Sequence, residues 1–97
     1  MTMHNPPHPG EFIWDTYLEP HGVSVRSLAE SLGVAASTVT RLVNGQSGVS
    51  PEMALRLSKA VGRSPESWLA MQHAHDLSGA RANTDLSNVE QIHFGAE

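Results

Sequence analysis

The stretch Val23-Ser24-Val25-Arg26-Ser27-Leu28-Ala29-Glu30-Ser31-Leu32-Gly33-Val34, followed after Ala35-Ala36 by Ser37-Thr38-Val39-Thr40-Arg41-Leu42-Val43-Asn44-Gly45, holds two short amphipathic segments separated by a glycine. Ser24 is placed to cap a helix from about Val25 to Leu32, because its hydroxyl can accept from a free backbone amide. Leu28 and Leu32, four apart, share the inward face. Gly33 is a natural stop, being free to take a left-handed conformation. A second helix is expected from about Ala36 to Val43, with Val39, Leu42 and Val43 inward and Asn44-Gly45 ending it. Ala29 is small enough to let the two helices approach closely. Two short helices joined by a glycine-containing turn are the arrangement of a helix-turn-helix, and equally of a plain helical hairpin.

Outward from this pair the same chemistry repeats. A first helix is expected from Pro9 or Gly10 to Glu19, where Pro20 blocks continuation. Ile13 and Tyr17 line one face, Trp14 and Leu18 the adjoining one. Ser50-Pro51-Glu52 and Ser64-Pro65-Glu66 each offer a capping serine, a proline at the first helical position and an acid in the first turn. They open a fourth helix, about Pro51 to Val61, burying Met53, Leu57, Ala60 and Val61, and a fifth from Pro65 to about Ala80 carrying Trp68 and Leu69. The reading is all-α, with five helices in one domain over 9–82, an extended arm over 1–8 and a short tail over 83–97. In that tail Val89-Glu90-Gln91-Ile92 alternates apolar and polar, a weak strand signal. A lone strand needs a partner, so this segment is either disordered or paired across a dimer.

At 97 residues the chain is short enough for one domain, and with 39% hydrophobic but only 5% aromatic residues its core should be aliphatic. There is no cysteine, which excludes a disulfide framework and cysteine-ligated zinc. No long apolar stretch and no leader-like segment is visible, so a cytoplasmic protein without membrane contact is expected. The net charge is −4, yet Arg26, Arg41, Arg56, Lys59 and Arg63 fall in one span whose only acids are Glu30 and Glu52. That span carries +3 and the remainder −7. Phosphate contact needs a basic face, not a basic protein, although such clustering also arises on ordinary solvated surfaces.

The outward face of the third helix tips the pair toward nucleic-acid binding. Ser37, Thr38, Thr40 and Arg41 all form hydrogen bonds, and no acid stands among them. Arg26, near the start of the second helix, reaches a phosphate or is a solvated charge. Arg56, Lys59 and Arg63 form a phosphate stripe or a solvated helix face. The six histidines do not make a metal site: His4 and His8 sit in the arm, and His73 and His75 fall on different helix faces. No nucleophile with a base, phosphate loop or carboxylate pair suggests catalysis, so neither enzyme activity nor a cofactor is expected.

In these residues the central stretch resembles the lambda-repressor-like (XRE) helix-turn-helix family. The flanks His8-Pro9-Gly10-Glu11, Leu18-Glu19-Pro20, Gly48-Val49-Ser50-Pro51-Glu52-Met53-Ala54-Leu55-Arg56-Leu57 and Ser64-Pro65-Glu66-Ser67-Trp68-Leu69 are similar to those of HigA-type antitoxins, over about residues 4–81. The resemblance implies a lambda-repressor-like fold and an antitoxin that neutralises a HigB-like ribonuclease toxin. It also implies a homodimer that binds operator DNA to repress its own operon. A stand-alone repressor and a protein-interaction module are the rival readings. By match to the family pattern, Ala36, Ser37, Thr38 and Arg41 face the bases, while Thr40, Asn44 and Arg26 meet the DNA backbone. Arg reads guanine bidentately, and Ala or Thr methyls pack on thymine. Asn44-Gly45 serves equally as a simple helix stop. The sequence departs from the family at Trp14, where a charged residue is common, and at His21, where an aliphatic one is.

Overall fold

The computed structural model describes residues 5–95. Five helices account for the ordered secondary structure, and no strand occurs among these residues. Helix α1 spans residues 9–21 as three continuous stretches: an α-turn Pro9–Ile13, a π-helical stretch Trp14–Leu18 and a final α-turn Glu19–His21. Then follow α2 (Val25–Leu32), α3 (Ala36–Val43), α4 (Pro51–Ala60) and α5 (Pro65–Asn83).

The first helix does not stop at Glu19. A proline inside an α-helix clashes with the carbonyl four residues back. Here the wider π-turn intervenes, and the Glu19 N–H donates to the Trp14 carbonyl, five residues back. Pro20 then sits at the start of a new turn, where no N–H is required of it. The same turn resets which side chains share a face. Ile13 and Leu18, five apart, are both fully buried, and Trp14 is left exposed. Gly22, in the left-handed conformation, then closes the helix, and Val23 N–H reaches back to the Leu18 carbonyl at 2.9 Å.

Helices α2 and α3 begin and end where the sequence places them. Leu28, Ala29 and Leu32 of α2 meet Val39 and Leu42 of α3 in the core, and Leu57 and Trp68 close it from α4 and α5. Ala60, expected inside, is exposed; Ala54, three residues before Leu57, is the buried alanine. The stripe Ala54-Leu57-Val61 follows the helical period, and Ala60 lies a quarter-turn off it. Trp68 is wholly buried and its indole Nε1–H donates to the Gly62 carbonyl at 2.9 Å. Leu69 is half-buried beside it. Arg63 lies over the rings of Phe12 and Trp68, 5.1 and 5.8 Å from their centroids.

The arm is not a free extension over its described part. Pro6 is buried, its carbonyl lies 3.0 Å from His75 Nδ1, and the rings of His8 and His75 meet edge to face at 5.1 Å. His8 caps α1, its Nδ1 accepting from Gly10 N–H at 2.9 Å. His4 lies outside the described residues. Among its described residues the tail forms no strand. Leu86, Val89, Ile92 and Phe94 are 65–68% exposed, and the molecule measures 58 × 26 × 23 Å.

Candidate nucleic-acid interface

The position of α3 is fixed from three sides. It packs on α2 through Val39 and Leu42, and α1 crosses it at Gly10. A Cβ at Gly10 would collide with the Leu42 carbonyl, so only glycine lets the two backbones approach this closely. Arg56 ties the turn between α2 and α3 to α4. Its Nη1 donates to the Leu32 carbonyl at 2.8 Å and its Nε to Glu52 at 3.3 Å. The guanidinium therefore satisfies the carbonyl end of α2 and favours its dipole. With Arg63 on the aromatic rings, the sequence's possible stripe of Arg56, Lys59 and Arg63 is broken up: two of the three cations hold the fold together.

What α3 turns outward is polar and free of acids. Ala36, Ser37, Thr40 and Arg41 are exposed, and Thr38 is half-buried. Ser37 and Arg41 form one row along the helix; Ala36, Thr40 and the exposed Asn44 form the next. Arg26 is exposed on the first turn of α2. Of these, Thr40 and Asn44 line one concavity with Val25, the residue before Arg26.

The start of α3 differs chemically from the other helix starts. His8, Ser24, Ser50 and Ser64 each accept a hydrogen bond from a first-turn amide of α1, α2, α4 and α5. Ala35, at the head of α3, offers no such acceptor. The free N–H groups and the positive end of the helix dipole are left open to an external acceptor. This feature is readable in Val34-Ala35-Ala36, where three apolar residues stand at the position that elsewhere holds a cap.

Gln72, unassigned in the sequence reading, is buried on the Trp68 face of α5. Its Oε1 accepts from Val49 N–H at 2.7 Å and its Nε2 donates to Asp76 at 2.9 Å. It anchors the loop leading from α3 to α4. The visible signal is its four-residue spacing from Trp68.

The HTH_3 family, described as helix-turn-helix, matches residues 16–68. An uncharacterised HTH-type transcriptional regulator, YddM of Escherichia coli (strain K12), is 38% identical over 92 residues, covering 95% of this chain and 97% of the relative. Antitoxin HigA-1 of Vibrio cholerae serotype O1 is 41% identical over 80 residues, covering 82% and 75%. Among solved structures, antitoxin GraA in complex with its operator superposes with a TM-score of 0.83 at 36% identity, over 97% of this chain and 96% of that one.

Proposed function

The chain belongs to the XRE-type helix-turn-helix family, HTH_3, and on that premise we propose that it is an antitoxin that binds operator DNA and represses its own operon. The observation that carries the DNA reading is α3 itself: an exposed, acid-free face whose helix start alone lacks a side-chain cap. Acceptors on base edges and phosphates fit that surface. Ala36, Ser37, Thr38 and Arg41 read the bases from the major groove; Arg26, Thr40 and Asn44 hold the backbone. The protein acts by binding rather than by catalysis, without a cofactor, in the cytoplasm. None of its described helices is long and apolar enough to cross a membrane.

Its second partner is a HigB-like ribonuclease toxin, a reading supported by the relative named antitoxin HigA-1. It works as a homodimer. The exposed Leu77, Leu86, Val89, Ile92 and Phe94 on the outer part of α5 and the tail support that surface as the contact. Two recognition helices would then read half-sites about 34–36 Å apart.

A gel shift with the DNA upstream of the gene, with and without the adjacent gene product, tests both partners. Retarded DNA whose migration changes again on adding that product is expected. No retardation refutes the repressor; retardation indifferent to the second protein leaves a stand-alone repressor. Arg41→Ala should cost about 1–3 kcal/mol on the operator and relax preference at one base position. Arg26→Ala should weaken all sequences alike and reduce the salt slope by about one unit. Equal loss by Arg41→Ala on every sequence would make that residue a backbone clamp.

A further inference from the structure

We propose that Trp14 is a DNA-backbone contact, its indole face packing on the deoxyribose of the strand held by Thr40 and Asn44. The inference rests on the DNA-binding reading above and adds a residue to it from a different helix.

Trp14 is 40% exposed, although a tryptophan in a small domain has every reason to be covered. The π-turn explains how: it buries Ile13 and Leu18 together and leaves Trp14 outside the core. The ring does not stand alone. It lines a concavity of about 340 Å3 with Glu11, Val25, Thr40, Val43 and Asn44. Val25 opens α2, the helix that crosses the DNA backbone in this arrangement, and Thr40 and Asn44 belong to the row of α3 assigned to the backbone. A nucleic-acid strand lying along Thr40 and Asn44 therefore passes the mouth of this concavity.

Charge decides which part of the strand meets the ring. Glu11 is exposed and shares the wall, so a phosphate inside the concavity would face a carboxylate. The uncharged sugar has no such conflict, and its carbon face matches the apolar side of the indole and the valines. The phosphates stay outside, within reach of Thr40, Asn44 and Arg26.

Such a contact is apolar and independent of base identity. Trp14→Ala should lose about fivefold in affinity, the order given by removing roughly 40 Å2 of apolar surface from water. The loss should be the same for operator and unrelated duplex, and the salt slope should not change, in contrast to Arg26→Ala. Trp14→Phe, which keeps an aromatic face, should recover most of it.

The chain supplies its own reporter. It has two tryptophans, and Trp68 is fully buried with its N–H bonded internally. Acrylamide, a neutral quencher, should reach only Trp14 in the free protein and neither ring once the operator duplex is saturating. Trp14→Phe should show no quenchable tryptophan in either state. If the parent binds operator and Trp14 stays equally quenchable, or Trp14→Ala binds within twofold of the parent, the contact is refuted and the DNA reading stands. If the parent retards no DNA at all, both fall.

Discussion

The body of the molecule buries most of its large apolar side chains, whereas the described far end leaves every one of them exposed. Within residues 9–72, Ile13, Leu18, Leu32, Leu42, Leu57 and Trp68 are almost entirely withdrawn from water. Beyond Gln72, Leu77, Leu86, Val89, Ile92 and Phe94 all stand exposed. One chain thus contains a self-sufficient helical core and an apolar surface that none of the described residues covers. The contrast separates the fold from the proposed dimer contact: the core should survive changes to the tail, and the tail should matter only when a second molecule is present.

The heaviest blow to that division falls on its core. Trp68→Ala should destabilise the protein by about 3–5 kcal/mol, since a wholly buried ring leaves a cavity as well as lost transfer energy. Thermal unfolding that matches the parent would mean that the core does not depend on α5. Gly10→Ala is expected to cost about 1–3 kcal/mol by overpacking, because the new methyl meets the Leu42 backbone and not a side chain that can turn aside. DNA affinity should fall with it, as α1 lifts from α3; unchanged affinity in a destabilised variant would show that α1 does not position the recognition helix.

A subtler test concerns the seam where the arm meets α5. Burial first, and then the neighbouring His75, hold the His8 imidazole below its usual value of 6.5, although Asp76, a hydrogen bond to the Ser47 backbone and Glu11 pull the other way. A depressed histidine pKa means the unfolded chain takes up the proton first, so stability is intact above about 6.5 and is lost as pH falls through the range below it. Protonation at Nδ1 would also end its acceptance of the Gly10 N–H. His8→Asn keeps a capping acceptor without a titrating ring. Its urea midpoint should fall less steeply than the parent's between neutral and mildly acid pH, and parallel curves would remove His8 from the acid response.

The smallest expected effect on stability comes from the tail. Val89→Ser with Ile92→Ser should change monomer unfolding by less than about 0.5 kcal/mol, as exposed substitutions do. Sedimentation should nevertheless shift toward monomer at micromolar concentration. A large loss of stability in a variant that is already monomeric would show that the tail belongs to the core after all.

How much of this was readable depended on whether a local signal had a local cause. Ser24, Gly33 and the leucines between them set α2 by capping and period alone, while α3, which has no side-chain cap, was legible from its apolar period and the Asn44-Gly45 stop. Pro20 misled because the cost of an internal proline assumes α-helical register, and nothing in Trp14-Asp15-Thr16-Tyr17-Leu18 announces a π-turn. Arg56 and Arg63 read as loose cations because the Leu32 carbonyl and the ring of Phe12, which hold them alongside the nearer Glu52 and Trp68, lie far away in sequence. On the candidate interface, the residue types of α3 were legible from its polar outer face. The exposed Trp14 beside Thr40 and Asn44 was not, since it depends on that same unannounced turn.

The joint between Pro6 and His75 has a further consequence, in the order of folding. The turns Gly22–Ser24 and Gly33–Ala35 are only three residues long, and most neighbours in the bundle are neighbours in sequence. Topologies of this kind fold on the order of microseconds to milliseconds. The hydrogen bond from His75 to the Pro6 carbonyl spans 69 positions, and loop-closure entropy makes such a contact form last. By the same token it should open first. In native-state hydrogen exchange, Gly10, whose amide is held by His8 at that joint, should exchange well before the amides of α2 and α3.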